Sequence, residues 1–205
     1  MKVLYLRYVL VIVIMAFSTV MSGQMRSGYK FGVNLTTLSV ETKGINSMER
    51  PIGIHFGINY DIRMSRKFSF VSGFLFSSKG SDYRIDTVDF SLTPTYVELP
   101  ANIAYTIGRR STKISIYAGP YTAFAIGGYK IVGEDPLKYL TFGRSSNKDL
   151  RAFDFGFNFG AGLDLKGFVI SVQYGIGLAN ISTANDSKMK NQVIGISISS
   201  LRGNK

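Results

Sequence analysis

The chain has 205 residues, no cysteine and a formal net charge of +11. Its length suits one domain, and the missing thiols exclude disulfide staples and thiolate metal sites. Mean hydropathy is positive, +0.13, yet beyond the N-terminus no stretch of about 18 apolar residues is present to form a membrane helix.

The first segment reads as an export signal. Lys2 and Arg7 form a positive n-region, residues 8–15 with Ala16 and Phe17 a short apolar core, and Ser22 and Gly23 a small-residue cleavage point before Gln24. An uncleaved anchor is the alternative, but the apolar run is short for a helix that stays in the membrane. Residues 1–22 are therefore expected to be a signal peptide and 23–205 the mature domain. Losing Lys2 and Arg7 takes the charge from +11 to +9.

The mature chain alternates with period two, the mark of strands. Along 52–63, Ile52, Ile54, Phe56, Ile58, Tyr60 and Ile62 oppose Gly53, His55, Gly57, Asn59, Asp61 and Arg63. Along 95–107, Val97, Leu99, Ala101, Ile103, Tyr105 and Ile107 oppose Tyr96, Glu98, Pro100, Asn102, Ala104 and Thr106. Along 153–165, Phe153, Phe155, Phe157, Phe159, Ala161, Leu163 and Leu165 oppose Asp154, Gly156, Asn158, Gly160, Gly162 and Asp164.

Eight strands are expected near 28–40, 52–63, 67–79, 93–107, 113–126, 153–165, 168–181 and 190–200, each long enough to cross a bilayer when tilted. Their connectors alternate: short at 64–66, 108–112 and 166–167, long at 41–51, 80–92, 127–152 and 182–189. An even strand number, short turns at one end and long loops at the other are the pattern of bacterial outer-membrane barrels. The expected fold is all-β: an eight-stranded antiparallel up-and-down transmembrane barrel in the outer membrane of a Gram-negative cell. A soluble lipocalin-like barrel also alternates. Its outer face would meet water, however, and the second face here is rich in Gly, Asn, Ser and Tyr, a poor soluble surface. Pro100 and Pro120 fall inside expected strands and would each remove a ladder donor, so a bulge is expected at each.

Several stretches resemble the small outer-membrane β-barrel family with PorT-like and OmpX-like members. They are YKFGVNL at 29–35, residues 53–60 and 67–80, YVELP at 96–100, YAGPY at 117–121 and FGFNFGAGLD at 155–164. The resemblance implies tolerance of the two prolines, and permits a role as a PorT-like part of a protein-secretion apparatus. Barrels of this kind close the last strand on an aromatic residue that assembly machinery recognises. Here Leu201 stands near that place, followed by Arg202, Gly203, Asn204 and Lys205.

Catalytic and cofactor chemistry is sparse. His55 is the single histidine, and Ser69, Ser115 and Glu98 share its inward parity without any spacing that brings them together. One histidine and no cysteine leave only scattered carboxylates for a metal. Gly175, Ile176 and Gly177 open no helix, so they form no dinucleotide fingerprint. The expectation is a non-enzymatic chain without cofactor, with a lipid A-modifying enzyme as the remaining alternative.

Four groups of residues carry the functional expectations. Glu98, Lys79, Arg63, His55 and Asp61 are expected to form an interior polar network, because a buried carboxylate needs a partner. Phe153, Phe155, Phe157, Phe159, Ile54, Phe56 and Ile58 are expected to face lipid. Arg66, Lys67, Arg109, Arg110 and Lys166, with Arg63 and Lys113 nearby, form a basic rim at the short turns. That rim suits anionic headgroups or an acidic partner as readily as plain solvation. Tyr129, Lys138, Tyr139, Phe142, Arg144, Lys148 and Arg151 in the longest connector are the candidate extracellular recognition loop. The expected role is structural or interactive, displaying loops without an open pore. The expected partners are outer-membrane lipids, the barrel-assembly machinery and other envelope proteins, not nucleic acid.

Overall fold

The computed structural model describes residues 25–41, 45–49, 51–85, 88–109, 111–145, 147–184 and 187–203. The expected signal peptide and its cleavage point lie outside them. The strands are β1 (Met25–Glu41), β2 (Ile45–Glu49), β3 (Ile52–Arg63), β4 (Phe68–Ser78), β5 (Ser81–Ile85), β6 (Val88–Arg109), β7 (Thr112–Val132), β8 (Lys138–Tyr139), β9 (Phe153–Leu165), β10 (Phe168–Gly177) and β11 (Lys188–Arg202).

Eight of these close a ring. Antiparallel pairing runs β1–β3–β4–β6–β7–β9–β10–β11 and returns to β1. Closure leaves no free edge within the wall, which a lipid environment requires because no water is present to satisfy an edge. The alternation sorts side chains as the period dictates. Phe153, Phe155, Phe159, Ile54, Phe56 and Ile58 are exposed on the outer wall, with Phe157 half-exposed. Asp154, Asn158, Asn59, Asn102 and Ser197 are buried inside. A sheet that is apolar outside and polar inside is inverted relative to a soluble barrel, and matches one immersed in lipid.

The three short connectors lie at one end, together with Met25 and the end of β11, and this is the periplasmic end by the rule that governs such barrels. The β9–β10 turn consists of Lys166 (φ 58°) and Gly167 (φ 100°), the doubly left-handed hairpin turn whose twist suits the flanking strands.

The other end departs from the sequence expectation. Connectors expected at 80–92 and 127–152 are partly strand. β5 continues the register of β4 after a break at Lys79 and Gly80: Ser78 faces Thr95, and Ser81 faces Leu92. β6 and β7 run on past the wall as a ribbon to Phe90 and Val132. β2 pairs with β5, and β8 folds back onto β7. A five-stranded extension therefore stands above the barrel. Conversely, β10 stops at Gly177, four residues short of the expected 181.

The expected bulges at Pro100 and Pro120 are not there. Pro100 faces Tyr121 and Pro120 faces Phe157 in unbroken register. In an antiparallel ladder only alternate residues exchange bonds with a given neighbour, so each proline forfeits a donor without shifting the strand. The carbonyl of Pro100 still accepts a bond from the Ser72 hydroxyl at 2.8 Å. The single register shift of this pair lies between Thr95 and Tyr96, where the ribbon leaves the wall, the rim position that bulges favour.

Candidate functional site

Glycines in β9 hollow out the lumen for large polar rings. Gly156 faces Tyr121 and Gly160 faces Tyr117 across the β7–β9 ladder. A Cβ on Gly156 would lie 2.6 Å from the Tyr121 ring, and one on Gly160 2.3 Å from the Tyr117 ring. Any side chain at either position would displace a tyrosine, which is why the FGFNFG run carries glycine on its inner face.

The interior charges fall into two levels. At the upper level Lys79 is gripped from several sides. Its ammonium lies 2.7 Å from Glu98 and 3.6 Å from Asp154, and stands over the rings of Tyr121 and Tyr96 at 4.4 and 5.3 Å. Asp154 also accepts bonds from the Tyr121 hydroxyl (3.1 Å) and from Asn191 (2.9 Å). Lys30 interacts electrostatically with Glu98 without forming an ion pair among the described residues. Two ammonium groups thus balance two carboxylates. His55 meets Asn34 through Nδ1 at 2.8 Å, beside a small cavity of about 20 Å³.

The lower level is built on Arg26, whose guanidinium bridges Asp61 on β3 and Asp164 on β9. It borders a cavity of about 80 Å³ lined by Lys30, Asn59, Asn102, Tyr117 and Gln173 among others. That is space for a few water molecules.

The sequence-based network is therefore divided. Glu98 and Lys79 are together, while His55 sits beside them, bonded to asparagine. Asp61 belongs to the lower level. Arg63, expected inside, is exposed at the end of β3; its parity points inward, but the wall ends there. Arg26, Lys30 and Asp154 were not singled out. Asp154 and Lys30 carried the signal, being charged residues at inward parity within strands, whereas Arg26 precedes the expected start of β1.

Toward the long-loop end the inward side chains among the described residues become apolar. Leu38, Leu92, Leu140, Leu150 and Ile181 form a buried cluster, with Tyr83, Phe142 and Met189 packed against it. Phe142 also packs on the deeper cluster of Tyr96, Tyr121, Ala123 and Ala125. The segment after β8 thus turns inward. Of the residues expected to be displayed, Tyr129, Lys138, Tyr139, Arg144 and Arg151 are exposed, but Phe142 and Lys148 are half-buried. Phe142 is a correction: its ring serves the plug. At the other end Arg66, Lys67 and Lys166 are exposed, while Arg110 and the Arg109 side chain lie outside the described residues.

Asp149 fastens this inward turn, accepting bonds from the Thr141 amide (2.8 Å) and hydroxyl (2.9 Å) and pairing with Lys130. Burial raises its pKa, but the Lys130 ammonium and the Thr141 donors outweigh this, so the carboxyl stays below its ordinary range. A depressed folded value means the stabilisation is present above the unfolded pKa of about 4 and fades as pH falls through the folded one. Amide hydrogen exchange should show segment 140–150 losing protection below about pH 4, where the unfolded carboxyl protonates. In Asp149→Asn the same segment should be weakly protected at every pH. Unchanged protection in that variant would remove Asp149 from this role.

Among the described residues no group of three or more His, Cys, Asp or Glu side chains is placed to hold a metal, and no helix is long and apolar enough to cross a membrane.

The family model described as outer membrane protein beta-barrel domain matches residues 20–183. Among solved structures, Ail of Yersinia pestis is 13% identical, covering 86% of this chain and 99% of its own, with a TM-score of 0.43. Neisserial surface protein A is 12% identical over 85% and 96%, TM-score 0.44. OprG of Pseudomonas aeruginosa is 12% identical over 88% and 95%, TM-score 0.47. No curated protein matches the chain.

Proposed function

The chain belongs to the outer membrane protein beta-barrel domain family, and on that premise we propose that it is a closed structural barrel that displays an extracellular β-extension, not a channel or an enzyme. The observation that carries this reading is the apolar packing of the inward side chains. Leu38, Leu92, Leu140, Leu150 and Ile181 form a buried apolar cluster toward the long-loop end, and the Lys79 cluster lies below it. Eight strands enclose little more than their own side chains, and a hydrophobic constriction excludes ions by excluding water. The bonding of His55 to Asn34, rather than to a nucleophile and an acid, supports a non-catalytic interior.

The exposed face of the extension is where a partner would be met, with Tyr139 83% exposed, Tyr129 paired with it and Lys138 adjacent. Rigid strands holding such side chains clear of the membrane suit an interaction role.

Planar bilayer recording tests the closure. The purified barrel should give no steady conductance steps, whereas Leu150→Asp, which puts a charge into the plug, should give brief openings. Stable steps from the unaltered protein would overturn the reading.

A further inference from the structure

On the outer wall near the periplasmic end, β3, β1 and β11 lie side by side, and their register stacks outward residues in lateral rows. One step in from the apolar pair Met25 and Ile62 lies the row Tyr60, Ser27 and Arg202. The next is Ile58, Tyr29 and Ser200, with Phe168 beyond it on β10. The third, Phe56, Phe31, Ile198 and Ile170, is wholly apolar. From the Arg202 row toward the middle of the wall, polarity therefore falls from a cationic row through a mixed row to a hydrocarbon row.

The same place is hollow. Ser27, Gly28 and Ser200 are small beside Tyr29, Ile58, Tyr60 and Arg202, and with them they line a groove of about 500 Å³. Arg202 is exposed and forms no ion pair among the described residues. Tyr29 stands out from the wall, 77% exposed, as an amphipathic ring at a membrane interface does.

We propose that this groove is a binding site for one anionic glycerophospholipid of the periplasmic leaflet. The phosphate sits at Arg202, a planar fork suited to phosphate oxygens, with the hydroxyls of Ser27 and Tyr60 as further donors. The glycerol region lies against Tyr29 and Ser200. An acyl chain runs over Phe31, Phe56 and Ile198. The order of the rows is the order of the lipid's own parts, and this is what selects a lipid over a soluble anion: a free phosphate would leave the two upper rows unused. The site is separate from the basic rim at the turns, because it lies on the wall and includes hydrocarbon contacts. It rests on the outer-membrane setting but not on the closure of the lumen.

The test is native mass spectrometry of the folded, detergent-purified barrel, incubated with phosphatidylglycerol and, separately, with phosphatidylcholine. Heat-modifiable gel mobility serves as the check on folding. The unaltered protein should retain one phosphatidylglycerol in preference to phosphatidylcholine. Arg202→Gln should lower that preference about five-fold, the effect of one basic residue at an anionic surface. Ser27→Phe, which fills the groove from the lipid side, should abolish retention while the barrel stays folded. Inorganic phosphate in excess should not displace the lipid. The proposal is overturned if Arg202→Gln and Ser27→Phe retain lipid as the unaltered protein does. It is equally overturned if Lys166→Gln on the rim lowers the preference as much as Arg202→Gln, if inorganic phosphate competes, or if the face is occupied by a second copy of the chain.

Discussion

Lys79→Met is expected to cost the folded barrel about 3–5 kcal/mol, because it leaves buried carboxylates without their cation. Lys79 is 3% exposed, Glu98 5% and Asp154 fully buried. Methionine restores the volume but none of the charge, so Glu98 and Asp154 both lose their ion-pair partner and only Lys30, paired with neither, remains nearby. The effect of Glu98→Gln should be smaller, since Asp154 remains 3.6 Å from the ammonium and the amide keeps an acceptor. Combining Lys79→Met with Glu98→Gln should recover part of the loss, the mark of coupled neighbours. Reversible urea unfolding in lipid vesicles measures all three. A Lys79→Met cost below about 1 kcal/mol would mean that the site is wet and its charges are screened.

The second large effect is expected on the opposite face. Phe159→Arg should cost about 2–4 kcal/mol, the penalty for a cation on the lipid side near the midplane of a transmembrane barrel. Phe159 is 48% exposed, and its ladder neighbours Tyr174 and Ala118 share its outward face. Phe159→Leu should be nearly neutral. Position along the strand matters as well: Phe153→Arg, closer to the mouth, should cost less, because the penalty falls toward the interface. Equal small costs at both positions, by the same unfolding measurement, would be incompatible with a lipid-facing wall.

The wall of the barrel was legible because its side chains obey one rule for the full width of the membrane. In β9 a phenylalanine occupies four successive outward positions, from Phe153 to Phe159, and no helix could present that series on one side. The extension was not legible, and the bulge explains why. Inward positions on β7 are odd up to Ala125, facing Tyr96, but past the shift Gly128 faces Pro94 and Lys130 faces Leu92. The parity changes at Ile126, so a reading by alternation ends the strand where the strand in fact continues. Glycines 127 and 128, ordinarily loop residues, reinforced that ending. On β4 the parity runs on unchanged into β5, but Lys79, Gly80, Ser81 and Asp82 interrupt the apolar alternation and so hid it.

The interior was half legible. Parity placed Glu98 and Lys79 on the inner face, but it carries no information about height along the axis. Arg63 was therefore grouped with residues far above it, and Asp61 with a cluster other than its own. Only the register between strands, which brings Arg26 opposite Asp61, separates the two levels. The plug was the least legible part. Leu140, Phe142 and Leu150 lie in a connector without periodicity, and nothing local distinguishes a loop that folds inward from one that extends.

The most direct test of the account is single-cysteine labelling along β9, which the absence of native cysteine makes clean. Positions 153 to 164 would be substituted one at a time in the protein reconstituted in bilayers, then exposed to a membrane-dissolved maleimide or to a small charged one added from either side. Positions 153, 155, 157, 159 and 161 should react with the membrane-dissolved reagent alone. Positions 162 and 164 should react with the charged reagent from the periplasmic side, and position 154 should be protected from the extracellular side by the plug. Loss of the two-residue alternation would contradict the barrel wall, and ready labelling of position 154 from outside would contradict the closed lumen.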